Sequence, residues 1–77
     1  MNRYIMTLEE LERYLVIDDF TFSYKGKDYF ICPLDGVFST GEFDKEPFDY
    51  KTFDDLINDF LLEGKPLKDV IGDIEPH

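Results

Sequence analysis

Residues 20–33 read FTFSYKGKDYFICP, two runs of aromatic and β-branched residues on either side of Gly26. Glycine readily adopts the positive φ that a tight turn requires, so the pattern predicts a β-hairpin. Its loop holds either residues 25–26 or residues 25–28. Because side chains alternate along a strand, both registers place the same five residues on one face. This face is the predicted core side of a sheet: Phe20, Phe22, Tyr24, Tyr29 and Ile31.

A second turn predicts a third strand. Residues 35–36 are Asp-Gly, a preferred two-residue hairpin turn, and pairing Leu34 with Val37 across it gives a strand over residues 37–40. Phe38 joins the core face in this register. The opposite face of the predicted three-stranded meander is partly apolar and carries Thr21, Ser23, Phe30, Cys32, Leu34 and Val37.

The segment before the hairpin is predicted to be a helix. Residues 7–10 read TLEE, a capping box in which the side chains of Thr7 and Glu10 each bond one amide of the first turn. The leucines that follow recur at i, i+3 and i+7, which predicts a helix over residues 8–16. Its apolar stripe either joins the core face of the sheet or covers the opposite face. Both alternatives fit the sequence.

A second helix is predicted to close the core face. Its apolar residues follow i, i+3, i+4, i+7 and i+8: Phe53, Leu56, Ile57, Phe60 and Leu61. Gly64 fits the position just after a helix, and Pro66 fits the first turn of a short third helix that Gly72 ends. The acidic segment between the meander and this helix, residues 41–51, shows no periodicity and is predicted to be an ordered loop.

These elements predict one small acidic domain over residues 1–77 with an α+β fold. The order is helix, three-stranded antiparallel meander, helix and short C-terminal helix (αβββαα), arranged in two layers. A chain of 77 residues has room for only one modest hydrophobic core.

The charge of the chain limits the partners that it can bind. Eighteen acidic and eight basic residues give a net charge of −10, which phosphate backbones and anionic lipids repel. We therefore expect no direct binding to nucleic acid and none to membranes, whereas a basic protein partner is favoured. The single cysteine, Cys32, cannot form an internal disulfide, which favours a cytoplasmic location.

No arrangement of residues predicts catalysis. The only histidine is His77, at the last position, where we expect a solvated tail. Cys32 lies within a predicted strand and is expected to be a packed, inert thiol. The carboxylates of residues 44–55 lack the glycine and the bidentate glutamate of a calcium loop. The sequence thus predicts a protein that is not an enzyme, with no catalytic residue, no metal site and no cofactor.

Surplus aromatic residues indicate a binding surface. Eight Phe and five Tyr exceed what so small a core needs. The candidate partner-binding residues are Phe30, Cys32, Leu34, Val37, Phe43, Phe48 and Tyr50. Either a protein partner or a second copy of the chain covers them, or else the first helix and the core do. The predicted function is a small protein-interaction module or regulator of bacterial or phage type.

An acidic ridge gives an alternative function. Asp55, Asp59 and Glu63 recur at i, i+4 and i+8 of the predicted second helix. Such a row is normally a solvated helix face. Carboxylates spaced like phosphates also compete for lysine and arginine side chains. The alternative is therefore an acidic nucleic-acid mimic that inhibits a DNA-handling enzyme.

Overall fold

The computed structural model describes residues 6–77 and shows an α+β fold, which confirms the predicted class. The helices are α1 (Leu8–Ile17), α2 (Phe53–Asp59) and α3 (Leu67–Val70). The strands are β1 (Phe20–Tyr24), β2 (Lys27–Leu34), β3 (Val37–Glu42), β4 (Phe48–Tyr50), β5 (Leu61–Leu62), β6 (Lys65–Pro66) and β7 (Glu75–Pro76). The predicted domain also includes residues 1–5, which lie outside the described residues.

Both predicted hairpins form with two-residue turns. Phe22 pairs with Tyr29 and Tyr24 with Lys27, which is the shorter of the two loop alternatives. Leu34 pairs with Val37 across the second turn, as predicted. The central residues of both turns have positive φ, about 50° and then 80°, the conformation that matches the twist of the adjoining strands. The third strand continues to Glu42 instead of ending at residue 40.

The prediction of only three strands is wrong. The sheet has five antiparallel strands in the order β4-β3-β2-β1-β7. The sequence predicts a loop at residues 48–50, but they pair with β3, with Thr40 opposite Phe48. Residues 75–76 pair with β1, Phe22 opposite Pro76. Strands of two or three residues are too short for a detectable alternation, so the neighbouring strand's backbone, not their own pattern, defines them.

The second helix ends earlier than predicted. Phe60 is the C-cap of α2, and its backbone is already extended, with ψ of 109°. The chain then forms the β5-β6 hairpin, in which Glu63 (φ 53°) and Gly64 (φ 84°) make a third two-residue turn. Gly64 is therefore a hairpin residue and not a helix terminus. The extended backbone buries Phe60 and Leu62, whereas Leu61 is 56% exposed.

All three helices pack on one face of the sheet, which decides the position of the first helix. The five predicted core-face residues of β1 and β2 are each at most 5% exposed. The Tyr14 ring of α1 meets the Phe20 ring at 5.3 Å, and the Phe53 ring of α2 meets Phe38 at 6.2 Å. Leu67 of α3 belongs to the same buried cluster. The helices thus form one layer, and the core lies between it and the sheet.

Candidate interaction surfaces

The face of the sheet that points away from the helices is partly apolar. We call the open face the surface formed by Phe30, Cys32, Leu34, Val37 and Phe43. Alternation from the paired registers places the first four on this side of β2 and β3. Phe43 follows β3, and its ring lies 5.9 Å from the ring of Phe30. Leu34 is 58% and Phe43 is 43% exposed, and the other three are half-buried. No helix of residues 6–77 covers them.

Carboxylates lie on the same side of the sheet as the open face. The strand registers place Asp28, Asp49 and Glu75 there. Among the described strands, this side has no lysine or arginine at any position. This side of the sheet therefore combines apolar residues with negative charge.

Cys32 lies on the open face with its thiol against a carboxylate. The thiol donates a hydrogen bond to the Asp19 side chain, and this bond, burial and the negative charge of Asp19 together raise the Cys32 pKa above 9.0. A thiol that stays protonated at neutral pH is a poor nucleophile.

His77 is not the free tail that the sequence predicted. Its amide donates to the Thr21 carbonyl at 3.1 Å, and its Nε2 lies 2.6 Å from the Ser23 hydroxyl and 3.5 Å from Asp28 Oδ1. The Ser23 hydroxyl donates its proton to Asp28 at 2.7 Å, so Nε2 must act as the donor to Ser23. A catalytic triad requires the opposite, a histidine that accepts the serine proton and binds the carboxylate through its other nitrogen. The hydrogen bonds of this cluster hold His77 against β1, but they do not form a catalytic triad.

Two of the predicted partner-binding residues, Phe48 and Tyr50, lie on the core side of the sheet. The Tyr50 ring is 6.4 Å from Phe60, and its hydroxyl donates to the Asp59 carbonyl at 3.4 Å. Phe48 is 68% exposed. Both line a cavity of about 550 Å³ together with Tyr29 and Phe60. We call this space the aromatic cavity. The predicted partner-binding residues therefore lie on two surfaces, the open face and the aromatic cavity.

The predicted acidic ridge does not run along one helix. Asp55 and Asp59 belong to α2, but Glu63 lies in the β5-β6 turn because the helix has already ended. Glu63 instead pairs with Lys27 at 2.9 Å. The hydrogen bond and the charge of Lys27 lower the pKa of Glu63 below 4.5, and the same contact raises the pKa of Lys27. This part of the surface is an ion pair between two hairpins.

Two exposed residues of α1 were missed in the sequence. Val16 is 83% and Ile17 is 84% exposed. They fall outside the spacing of the stripe that buries Leu11 and Leu15. That departure is visible in the sequence and could have identified them.

Other features of residues 6–77 do not identify a function. No group of three or more His, Cys, Asp and Glu side chains there is arranged to hold a metal ion. No helix in the same range is long and apolar enough to cross a membrane. No protein-family model, curated protein or solved structure matches the chain. Function is therefore inferred from the two surfaces described above.

Proposed function

We propose that this chain is a small, non-enzymatic protein-interaction module that binds a partner through the open face. The observation that carries the proposal is the packing of α1, α2 and α3 on a single side of the sheet. An apolar sheet face without a covering layer exposes side chains whose burial is favourable, and such faces mark sites of protein contact.

The residues on this side of the sheet support a partner of one chemistry. Asp28, Asp49 and Glu75 share the side with the apolar residues of the open face, so a complementary surface has apolar side chains together with lysine or arginine. A second copy of this chain is the wrong complement, because two molecules of charge −10 repel each other. The partner is therefore a different, basic protein.

Two further expectations belong to the same proposal. A reduced thiol at Cys32 suits the cytoplasm, where disulfides are rare, and a regulator of bacterial or phage type fits the small size. Nucleic-acid mimicry is the weaker alternative. It needs a continuous row of carboxylates, whereas Glu63 lies off α2 and is paired with Lys27.

Site-specific photo-crosslinking tests the open face in cells that express the chain. A photoreactive phenylalanine replaces Leu34 or Phe43 in separate variants. The matched controls carry it at Val16 or Ile17, which are exposed apolar residues of α1 on the other side of the sheet. We expect one protein to be captured from positions 34 and 43 and not from 16 and 17.

The captured protein is then purified and titrated against three forms of the chain. We expect Leu34→Ser/Phe43→Ser to weaken binding at least about ten-fold, and Val16→Ser/Ile17→Ser to leave it unchanged. Equal effects of the two double variants would overturn the proposal. So would a captured partner with an acidic contact surface, or a captured second copy of the chain.

A further inference from the structure

The aromatic cavity is a second surface, separate from the open face and on the opposite side of the sheet. It lies where β2, β3 and β4 meet the chain leaving α2. Its volume of about 550 Å³ falls within the range of small-ligand sites. Four rings line it: Tyr29, Phe48, Tyr50 and Phe60.

Three of the four rings pack against one another. Phe60 meets Tyr29 edge-on, with centroids 5.9 Å apart and planes at 74°, and it lies 6.4 Å from Tyr50. Phe60 is only 6% exposed, so its position is fixed by the core. Phe48, 68% exposed, is the one ring of the four that stands free at the edge. The cavity therefore has a wall of three packed rings and one exposed ring, Phe48, at its edge.

The charges in the cavity wall favour a cation. Four carboxylates and a single base line it: Glu42, Glu46, Asp59, Glu63 and Lys27. Lys27 pairs with Glu63 at 2.9 Å, and the charge of Glu42 also raises the Lys27 pKa. One cation thus faces four carboxylates, so the wall keeps a net negative charge. Burial, and after it the negative charge of Glu42, raises the pKa of Tyr29, which is consistent with a negative potential at this ring.

We propose that the aromatic cavity binds a guanidinium group carried on an apolar stem. The faces of aromatic rings attract cations, and a planar guanidinium can stack on a ring while its N–H groups reach carboxylates on both sides. Glu42 and Glu46 line the same cavity as Phe48 and supply carboxylate acceptors there. An ammonium has neither the planar face nor the paired donors. Arginine in a peptide and a free guanidino compound both provide this chemistry. The site does not depend on the open face.

Titration calorimetry with two capped probes tests the site. The probes are N-acetyl-arginine methylamide and N-acetyl-citrulline methylamide, which differ only in the charged group. We expect the arginine probe to bind at least about ten-fold more tightly, equivalent to about 1.4 kcal/mol. Equal binding of the two probes, or no heat from either, would overturn the proposal.

Variants then locate the binding. Phe48→Ser and Glu46→Gln alter exposed residues of the wall, so the fold is expected to survive. Each should weaken arginine binding several-fold, whereas Phe43→Ser and Glu75→Gln, on the open face, should not. Weaker arginine binding in Phe43→Ser and Glu75→Gln, but not in Phe48→Ser and Glu46→Gln, would contradict the site.

A Gly-Gly-Arg-Gly-Gly peptide distinguishes the two sources of the guanidinium group. Tighter binding than the capped amino acid indicates a peptide, and equal binding indicates a free guanidino compound. Either result supports the site.

Discussion

The Phe60 ring meets the Tyr29 ring edge-on at 5.9 Å, at the residue where α2 ends. This contact ties the end of the helix to the centre of the sheet. Beyond Phe60 the backbone is extended, so the next two side chains point in opposite directions. Leu61 is 56% exposed and Leu62 is fully buried. Packing against the sheet, rather than the helical stripe, therefore decides where α2 stops.

Two adjacent leucines are expected to differ sharply in their effect on stability. Leu62→Ala removes a fully buried side chain and should lower the free energy of unfolding by about 2–5 kcal/mol. Leu61→Ala should change it by less than about 0.5 kcal/mol. Urea denaturation followed by circular dichroism measures both. A larger cost for Leu61→Ala would support the helix over residues 53–61 that the sequence predicted.

Two glycines are expected to respond to alanine with opposite signs. Gly26 has φ of +80° in the β1-β2 turn, so an alanine there is strained even though its Cβ meets nothing within 4 Å. The expected cost is about 1–2 kcal/mol. Gly41 in β3 has no positive φ, and a Cβ would lie 3.5 Å from Pro47 Cα, an ordinary contact. Gly41→Ala should therefore stabilise the fold by about 0.4–1 kcal/mol through the unfolded chain.

Thermal denaturation distinguishes these outcomes, because about 1 kcal/mol moves the melting temperature of a domain this small by about 4–8 °C. A loss of stability in Gly41→Ala similar to that in Gly26→Ala would show that β3 and residues 46–47 are packed too tightly for a methyl group. The turn geometry would then not be the main constraint on glycine in this sheet.

The three hairpin turns show how far the sequence could predict the fold. At residues 25–26 and 35–36, glycine stands between alternating strands, so pattern and turn agree. Glu63 and Gly64 form the same turn, but Gly64 also fits a helix terminus, and a helical stripe ran unbroken up to Leu61. Local pattern cannot decide between these, because the deciding contact, Phe60 against Tyr29, joins distant parts of the chain.

For the candidate surfaces, too, the sequence predicts one part and not the rest. Alternation alone placed Phe30, Cys32, Leu34 and Val37 on one face of the sheet. The amphipathic stripe of α1 identified which side of the helix is buried, but not which sheet face it packs on. That depends on the direction in which the chain turns after Ile17. The sequence could not predict the aromatic cavity either, because the pairing of β4 with β3 brings Phe48 and Tyr50 into the same cavity as Phe60.

Ile74 should be essential for stability although no predicted element contained it. It is 4% exposed just before β7, whereas Ile17 at the end of α1 is 84% exposed. Ile74→Ala is expected to lower the free energy of unfolding by about 2–5 kcal/mol, and Ile17→Ala by less than about 0.5 kcal/mol. Urea denaturation of the full chain measures both. Equal, small effects would mean that the segment after α3 is not part of the core.

The reactivity of Cys32 should be controlled by Asp19. Alkylation by iodoacetamide requires the thiolate, and the hydrogen bond to Asp19, burial and the charge of Asp19 hold the Cys32 pKa above 9.0. Asp19→Asn removes the carboxylate, so the pKa should fall toward 9.0 and the midpoint of the pH–rate profile should move down with it. At pH 8, where the thiol is mostly protonated, the variant should react faster than the wild type.

Asp35→Asn is the matched control for Cys32 reactivity. It removes one carboxylate from the same sheet, in the β2-β3 turn, and asparagine tolerates the positive φ of 50° at this position. Its profile should match that of the wild type, because charges beyond direct contact are screened by salt. If Asp35→Asn lowered the midpoint as much as Asp19→Asn, the general negative charge of the chain would control the thiol, and the local hydrogen bond would not.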